Sequence, residues 1–289
     1  MKAAPFDYVA PATIADACAA LAEADGGATV LAGGQTLVPL MALRMSQPFI
    51  LVDINKIPEL TGVSFEAETV RIGAMTRQNE VLANTQLAEE LPVLAEAVRQ
   101  VGHLQTRHRG TVGGSIAFGE PAAELPATLV ALGGSIEVQS VRGTRRIDAR
   151  DIYIGPYTTS IEHDELVTSV HFPYWQRDTR WIFHEVSRRP GDFALVGLVG
   201  GLRIENGVVA RAGLAWFAMG DTPVAAVQAE QAILGRPLGQ ISSAEIAELA
   251  LSDCQPYDDN HATERYRTSV GKRIFEQALC RALETVVQP

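Results

Sequence analysis

The sequence predicts an α+β fold in two parts, and three observations lead to this prediction. Helical and extended patterns alternate from the N-terminus as far as Pro173. Beyond Pro173, strand-like runs follow one another between Gly and Pro turns before helical patterns return. The chain has 289 residues, of which 47% are hydrophobic, and this is enough for two packed cores. We therefore expect a domain boundary near residue 175.

The first part opens with a helix, a strand and a second helix. Thr13 is a candidate N-cap, and the apolar spacing after it predicts a helix that ends at Gly26 and Gly27. A short buried strand over 29–31 leads into a pair of glycines, and a helical pattern returns at 37–43. The other predicted elements of this part are strands at 49–53, 70–74 and 136–141, and helices at 76–84, 87–101 and 121–132.

The second part is predicted to be a three-stranded antiparallel sheet with helices on one face. Its strand-like runs lie at 181–187, 194–205 and 208–217. Between the last two runs, Asn206-Gly207 is a typical hairpin turn. The helices that follow are predicted at 223–234, 242–252 and 262–287.

Two short segments, each predicted to lie on a turn after an apolar or extended run, contain paired glycines and end in a hydroxyl residue: AGGQT at 32–36, the first glycine segment, and TVGGS at 111–115, the second glycine segment. Glycine permits the positive-φ turns and close approach that a Cβ would block, and successive N–H groups then form a concave anion site. A pair of such segments indicates one long ligand bound at two points. Each segment alone is also compatible with a tight turn that binds nothing.

Composition and spacing argue against several other classes of protein. Neither segment fits G-x-G-x-x-G or the phosphate-binding lysine pattern, which disfavours a nicotinamide Rossmann domain. With 24 basic and 34 acidic residues the net charge is −10, so we expect no nucleic-acid partner. Three widely spaced cysteines encode neither an iron–sulfur nor a zinc site. No signal peptide or spanning segment is evident, so we expect a cytoplasmic protein without membrane insertion.

Three runs in the chain resemble a known family. They are LAGGQTLVPLM at 31–41, RHRGTVGGSIA at 107–117 together with PAAELP at 121–126, and SRRPGDFALVG at 187–197. In this order they are similar to the FAD-binding medium subunit of the molybdenum hydroxylases, the carbon monoxide dehydrogenase and xanthine dehydrogenase group. The resemblance covers nearly the whole chain.

The resemblance implies the domain organisation and the cofactor. Residues 1–175 would be a PCMH-type FAD-binding domain with lobes of about 1–57 and 58–175, and residues 176–289 a C-terminal flavoprotein domain of the CO dehydrogenase type. The pyrophosphate of FAD would lie between the two glycine segments, which would supply backbone N–H and hydroxyl donors. We expect noncovalent FAD, because the first histidine is His103 and only Cys18 precedes the first glycine segment.

The cofactor-binding residues that the resemblance implies are Ala32, Gly33, Gly34, Gln35, Thr36, Thr111, Val112, Gly113, Gly114, Ser115, Ala117, Glu124, Leu166 and Asp192. Glu124 matches a position near the ribityl or ring end of the flavin, with a solvated carboxylate as the alternative. The chain departs from the family pattern at Phe118, Glu120, His184 and Glu185.

The function that the resemblance implies is electron transfer within a heteromeric oxidoreductase. A [2Fe-2S] small subunit would reduce FAD on this chain, FAD would pass electrons to an external acceptor, and a large molybdopterin subunit would oxidise the substrate. We expect a dimer of heterotrimers, with no catalytic acid or base and no metal site on this chain. Two alternatives remain open: a noncatalytic assembly partner with the same fold, and a free-standing FAD oxidoreductase.

Overall fold

A parallel three-stranded sheet occupies the N-terminal end of the chain in the computed structural model, which describes residues 2–176 and 178–284. Its elements are β1 (Asp7–Val9), α1 (Ile14–Glu23), β2 (Ala28–Leu31), α2 (Leu37–Ala42) and β3 (Ile50–Asp53). The strand order is β1-β3-β2, and both pairings are parallel. The predicted N-cap is confirmed, since the Thr13 side chain accepts a hydrogen bond from the Asp16 N–H.

The first glycine segment is a strand-to-helix turn, as predicted. It connects the end of β2 to the start of α2. Gly34 has φ of 71°, a conformation that a residue with a Cβ rarely adopts. The turn therefore depends on glycine at this position.

A five-stranded antiparallel sheet with the order β4-β5-β10-β6-β7 follows, together with its helices. The elements of this region, which includes a one-turn 3₁₀ helix at Pro58–Leu60, are β4 (Val63–Phe65), β5 (Thr69–Gly73), α3 (Gln78–Ala83), α4 (Thr85–Glu90), α5 (Pro92–Gln100), α6 (Leu104–Arg109), α7 (Val112–Phe118), α8 (Glu124–Leu132), β6 (Ser135–Ser140), β7 (Gly143–Asp148), α9 (Ala149–Ile152), β8 (Tyr153–Gly155), β9 (Thr158–Thr159) and β10 (Leu166–Pro173). Strands β8 and β9 form a separate two-stranded ribbon.

Two predictions for this region are wrong. The single helix predicted over 87–101 is two helices, α4 and α5, because Pro92 has no N–H and pushes Leu91 out of the helical conformation. The second glycine segment does not lie on a turn after an extended run. It follows helix α6, and its glycines belong to the first turn of α7, for which Thr111 is the N-cap.

The C-terminal sheet has four strands rather than the three predicted, in the order β11-β12-β13-β14. Its elements, with a 3₁₀ turn at Leu238–Gln240, are β11 (Arg180–Val186), β12 (Val196–Glu205), β13 (Val208–Phe217), β14 (Val224–Ala225), α10 (Val227–Ile233), α11 (Ser243–Ser252) and α12 (Glu264–Leu283). The additional strand β14 occupies the first residues of the helix predicted at 223–234, because Val224 pairs with Trp216 at the edge of the sheet. The helix α10 therefore begins only at Val227.

The hairpin between β12 and β13 is confirmed. Asn206 and Gly207 have φ of 51° and 74°, which are the two positive values that a type I′ turn requires. Helix α12 ends at Leu283, and Val287, where the sequence places its end, lies outside the described residues.

Helix α8 connects the packing of the two larger sheets. All nine of its residues are buried, and its apolar side chains share one core with strands of both sheets. Helices α10, α11 and α12 cover the C-terminal sheet with a second core, in which Trp216 contacts Phe275. This packing places the start of α8 and the loop between β11 and β12 at one cleft.

Candidate functional site

A cleft of about 580 Å³ lies where the two glycine segments, the start of α8 and residues 191–193 meet. Its volume falls within the ~300–1,000 Å³ that is typical of ligand sites. An adjoining cleft of about 200 Å³ shares Val30, Ala32, Gly114 and Ala117 with it. The residues at the end of strand β2 therefore line both clefts.

The first glycine segment presents unused hydrogen-bond donors to this cleft. Within the described part of the chain, the backbone N–H groups of Gly34, Gln35 and Thr36 donate to no protein acceptor. All three residues line the cleft. Consecutive free N–H groups around a left-handed glycine form the concave arrangement that binds anions.

The second glycine segment differs, because the protein itself uses its N–H groups. Val112 N–H donates to the Thr76 carbonyl at 3.0 Å and Gly113 N–H to the Ala74 carbonyl at 2.8 Å. Gly114 N–H donates to the Thr111 hydroxyl at 3.1 Å. These three N–H groups are therefore already bonded within the protein: those of Val112 and Gly113 join α7 to the residues after β5, and that of Gly114 donates to the Thr111 side chain that caps α7.

Ser115 supplies the polar group that the second glycine segment offers to the cleft. Its N–H donates to the Thr111 carbonyl within α7 at 3.2 Å. Its hydroxyl makes no hydrogen bond within the described residues, and Ser115 lines the cleft. A hydroxyl both donates and accepts, so this one suits a phosphate or a ribityl oxygen.

The two glycine segments touch each other. A Cβ built on Gly33 would lie 2.3 Å from the Arg109 carbonyl oxygen and 2.9 Å from the Gly110 Cα. A Cβ on Gly114 would lie 3.5 Å from the Ala32 Cβ. A Cβ is thus excluded at Gly33 by Arg109 and Gly110, directly before the second glycine segment, and these contacts bring the two segments together in one wall of the cleft.

Three carboxyl groups lie near one another at the start of α8, and two of them, Glu120 and Glu124, line the cleft. Glu124, at the start of α8, is only 7% exposed, and its carboxyl group accepts no hydrogen bond from any side chain of the described residues. Burial, together with the charges of Glu185 and Glu120, raises the pKa of Glu124 to about 8. Burial also raises the pKa of Glu185 to about 7 and that of Glu120 above its usual value. Burial therefore favours the neutral form of the Glu124 carboxyl group, which can donate a hydrogen bond.

The structure brings most of the predicted site residues together. The predicted residues that line the larger cleft are Ala32, Gly33, Gly34, Gln35, Thr36, Thr111, Gly114, Ser115, Ala117, Glu124 and Asp192. Gly113 and Leu166 line only the adjoining cleft. Val112 is fully buried and lines neither.

Other residues of the cleft were not identified from the sequence. Gln78 is 3% exposed, lines the cleft and has a buried Oε1 atom without a hydrogen-bond partner. Phe118, whose ring is 5.3 Å from that of Tyr157, and the exposed Phe193 add aromatic surface. Phe193 lies inside the 187–197 run that carries the resemblance, which was a usable signal. Gln78 had none, since only the fold places α3 beside the second glycine segment.

This set of groups fits a long ligand with an anionic centre and a flat ring. The free N–H groups suit a phosphate, the unpartnered Gln78 Oε1 suits a hydrogen-bond donor, and the aromatic side chains suit a ring. These are the parts of FAD. Within residues 2–176 and 178–284, no cluster of His, Cys, Asp and Glu could hold a metal ion. The same residues include no helix long and apolar enough to cross a membrane.

Two family models match the chain. Residues 4–175 match the FAD binding domain in molybdopterin dehydrogenase, and residues 181–282 match the CO dehydrogenase flavoprotein C-terminal domain. The chain therefore belongs to the family of FAD-binding medium subunits of the molybdenum hydroxylases, and it is an oxidoreductase subunit.

Individual relatives and solved structures agree with this membership. The chain is 35% identical to the 6-hydroxypseudooxynicotine dehydrogenase complex subunit alpha of Paenarthrobacter nicotinovorans, over 98% of this chain and 96% of that one. It is similar in structure to carbon monoxide dehydrogenase from Hydrogenophaga pseudoflava, with a TM-score of 0.94, 34% identity and 98% of each chain covered. It is also similar in structure to quinoline 2-oxidoreductase from Pseudomonas putida 86, with a TM-score of 0.91, 33% identity and 98% of each chain covered.

Proposed function

We propose that this chain is the electron-transfer subunit of a heteromeric molybdenum hydroxylase, in which its FAD accepts electrons from a [2Fe-2S] subunit and passes them to an external acceptor. The observation that carries this proposal is the cleft itself. Its wall contains both glycine segments, and the first of them presents three unused N–H groups. Membership of the medium-subunit family supports the same role.

In this proposal, different residues of the cleft bind different parts of FAD. The N–H groups of Gly34, Gln35 and Thr36, with the Ser115 hydroxyl, would hold the pyrophosphate. Because the chain has a net charge of −10, such local donors are needed to offset the unfavourable field of the whole protein. Glu124, as a neutral acid, would donate a hydrogen bond to the ribityl or ring end of the cofactor. Ala32, Gly33, Thr111, Gly114 and Ala117 would shape the wall, with Gly113 and Leu166 at the adjoining cleft and Asp192 at the rim.

When bound, FAD supplies the redox chemistry, since a flavin takes up electrons singly and can release two. The chain's own residues bind it, orient it and set the charge around it. Of the described residues that line the cleft, none is His or Cys. This supports noncovalent attachment.

The partners complete the proposal. A large molybdopterin subunit would oxidise the substrate and a small [2Fe-2S] subunit would relay the electrons, in a cytoplasmic dimer of heterotrimers. Domains at 1–175, with lobes of about 1–57 and 58–175, and at 176–289 belong to the same proposal. The relative from Paenarthrobacter nicotinovorans carries the words complex and subunit in its name, which is consistent with a multichain assembly.

Purification of the chain with and without its partners tests the function. We expect the chain alone to bind one FAD, to show flavin absorbance, and to reduce artificial acceptors without oxidising a hydroxylase substrate. The native complex should contain molybdenum, iron and two further polypeptides. A colourless chain that takes up no FAD would indicate the noncatalytic assembly partner instead. Substrate turnover by this chain alone would indicate the free-standing oxidoreductase.

A further inference from the structure

Two side chains outside the cleft join the two glycine segments. Asn55 Nδ2 donates to the Ala32 carbonyl at 2.9 Å. Arg77 donates through Nη2 to Asn55 Oδ1 at 2.6 Å, and through Nη1 to the Arg109 carbonyl at 2.5 Å. We call Asn55 and Arg77 the interloop bridge. Their hydrogen bonds run from the first glycine segment to the residue two positions before the second.

Each end of the interloop bridge is anchored in a different sheet. Asn55 follows β3 of the parallel sheet, and Asp53 Oδ1 accepts from both its N–H at 2.9 Å and its Nδ2 at 2.6 Å. The other oxygen of Asp53 accepts from the Tyr8 hydroxyl on β1 at 2.5 Å. Arg77 follows β5 of the five-stranded sheet, and its N–H donates to Glu80 at 2.8 Å. The bridge therefore connects two separately built units.

The bridge acts beside the direct contact of the glycine segments. Ala32 immediately precedes Gly33, and Arg109 immediately precedes Gly110, where the two backbones meet. A contact without a Cβ on either side has little side-chain surface to hold it, so hydrogen bonds to the flanking carbonyls define its spacing. The N–H groups of the first glycine segment thereby keep a set distance from the Ser115 hydroxyl.

We propose that Arg77, acting through Asn55, is a positioning residue that fixes the separation of the two glycine segments and thereby the affinity for FAD. The inference rests on the proposed function, because it presumes that FAD is the ligand gripped by both segments. Arginine suits the task because one planar guanidinium donates to two acceptors in fixed directions, whereas a lysine ammonium has no such fork.

The test compares FAD binding with folding stability in the full-length chain after removal of its flavin. FAD affinity is measured from the quenching of FAD fluorescence, and stability from thermal unfolding without FAD. We expect Arg77→Met to weaken FAD binding by about 10- to 100-fold, the range for loss of hydrogen bonds from a charged donor. The unfolding temperature of the flavin-free chain should change by less than about 2 °C.

Three further variants sharpen the result. Asn55→Ala should weaken FAD binding to a similar degree, and the double variant should be no weaker than Arg77→Met, since the two side chains act in series. Arg77→Lys should remain clearly weaker than wild type. Arg99→Met is the matched control, because Arg99 is an exposed arginine paired with Glu96 outside the cleft, and it should bind FAD as the wild type does.

Three outcomes would overturn the inference. The first is wild-type affinity in Arg77→Met. The second is full affinity in Arg77→Lys, which would show that the positive charge alone is sufficient. The third is a loss of affinity in Arg77→Met accompanied by a fall in unfolding temperature of more than about 2 °C, which would indicate a general loss of folding stability. Failure of the proposed function looks different, since the wild-type chain itself would then bind no FAD.

Discussion

The two glycine segments have nearly the same composition and opposite physical roles. In the first, Gly34 takes a left-handed conformation, and the N–H groups of residues 34–36 donate to no acceptor among the described residues. In the second, the glycines lie in a helix, and the N–H groups of Val112, Gly113 and Gly114 are all bonded within the protein. The first segment keeps free N–H groups beside the cleft, whereas the second lets a helix approach a strand.

The comparison shows that a pair of glycines in a sequence indicates positions where a Cβ is excluded, but it does not reveal the physical cause of the exclusion. At Gly113 the excluded volume is filled by Ala74, whose Cα would lie 2.7 Å from an added Cβ. At Gly33 it is filled by the Arg109 carbonyl, and at Gly34 the constraint is backbone conformation. Substitutions at these positions should therefore separate the folding role from the binding role.

The largest effect is expected for Gly113→Ala. The new methyl group would meet the backbone of Ala74, and overpacking of this kind destabilises a protein by about 1–3 kcal/mol or more. Chemical denaturation of the flavin-free chain should show this loss. Gly239→Ala is the matched control, since nothing lies within 4 Å of its added Cβ. Equal stability of the two variants would contradict close helix–strand packing as the role of Gly113.

Gly34→Ala should cost somewhat less in stability. A non-glycine residue in the left-handed region costs about 1–2 kcal/mol, and relaxation of the turn would also misdirect the free N–H groups. FAD affinity should fall together with stability. Gly34→Asn should lose less stability than Gly34→Ala, because asparagine tolerates this region better. If alanine and asparagine behaved alike, conformation would not be the reason for glycine here.

The carboxyl end of the cleft predicts a pH dependence. The pKa of Glu124 is raised to about 8, so its carboxyl group is neutral below that pH and ionised above it. An ionised Glu124 repels an anionic ligand and no longer has an O–H group to donate. We therefore expect FAD affinity to fall about tenfold between pH 7 and pH 9. Glu124→Gln should remove this dependence, which fluorescence titrations over the pH range can check. If FAD affinity fell between pH 7 and pH 9 as much in Glu124→Gln as in the wild type, the pH dependence would belong to another titratable group.

The same carboxyl group affects stability with a defined sign. Its pKa in the folded state lies above the ordinary value of 4.5, so the folded state binds more protons than the unfolded state between the two values. The stabilisation from the neutral acid is complete below about pH 4.5 and is lost as the pH rises through about 8. Chemical denaturation of the flavin-free wild type and of Glu124→Gln at both ends of this range measures how the free energy of unfolding changes with pH. We expect the loss at high pH to be smaller in Glu124→Gln than in the wild type.

The smallest effects are expected at the two threonines. The Thr111 hydroxyl caps helix α7 by accepting from the Gly114 N–H, and loss of such a cap costs about 1 kcal/mol. The Thr36 hydroxyl makes no capping bond. Thr111→Ala should therefore lower stability, whereas Thr36→Ala should leave it unchanged and weaken FAD binding a few-fold. A stability loss in Thr36→Ala equal to that in Thr111→Ala would contradict the division of roles.

Much of the architecture was predictable because local chemistry fixes it. The Thr13 cap, the Asn206-Gly207 hairpin and the strand before Gly33 each follow from a few adjacent residues. Strand β10 was missed because it is buried on both faces and shows no alternation of polar and apolar residues. The break at Pro92 had a local signal that the helical periodicity concealed.

By itself, the sequence indicated the family, the cofactor and eleven of the residues that line the larger cleft, because these are carried by three short runs of adjacent residues. Only the tertiary structure decided which glycine segment keeps free N–H groups, since that depends on whether the Ala74 and Thr76 carbonyls reach them. The same holds for Gln78 and the interloop bridge. Their partners are distant in sequence, and a hydrogen bond between distant residues exists only once the sheets have packed.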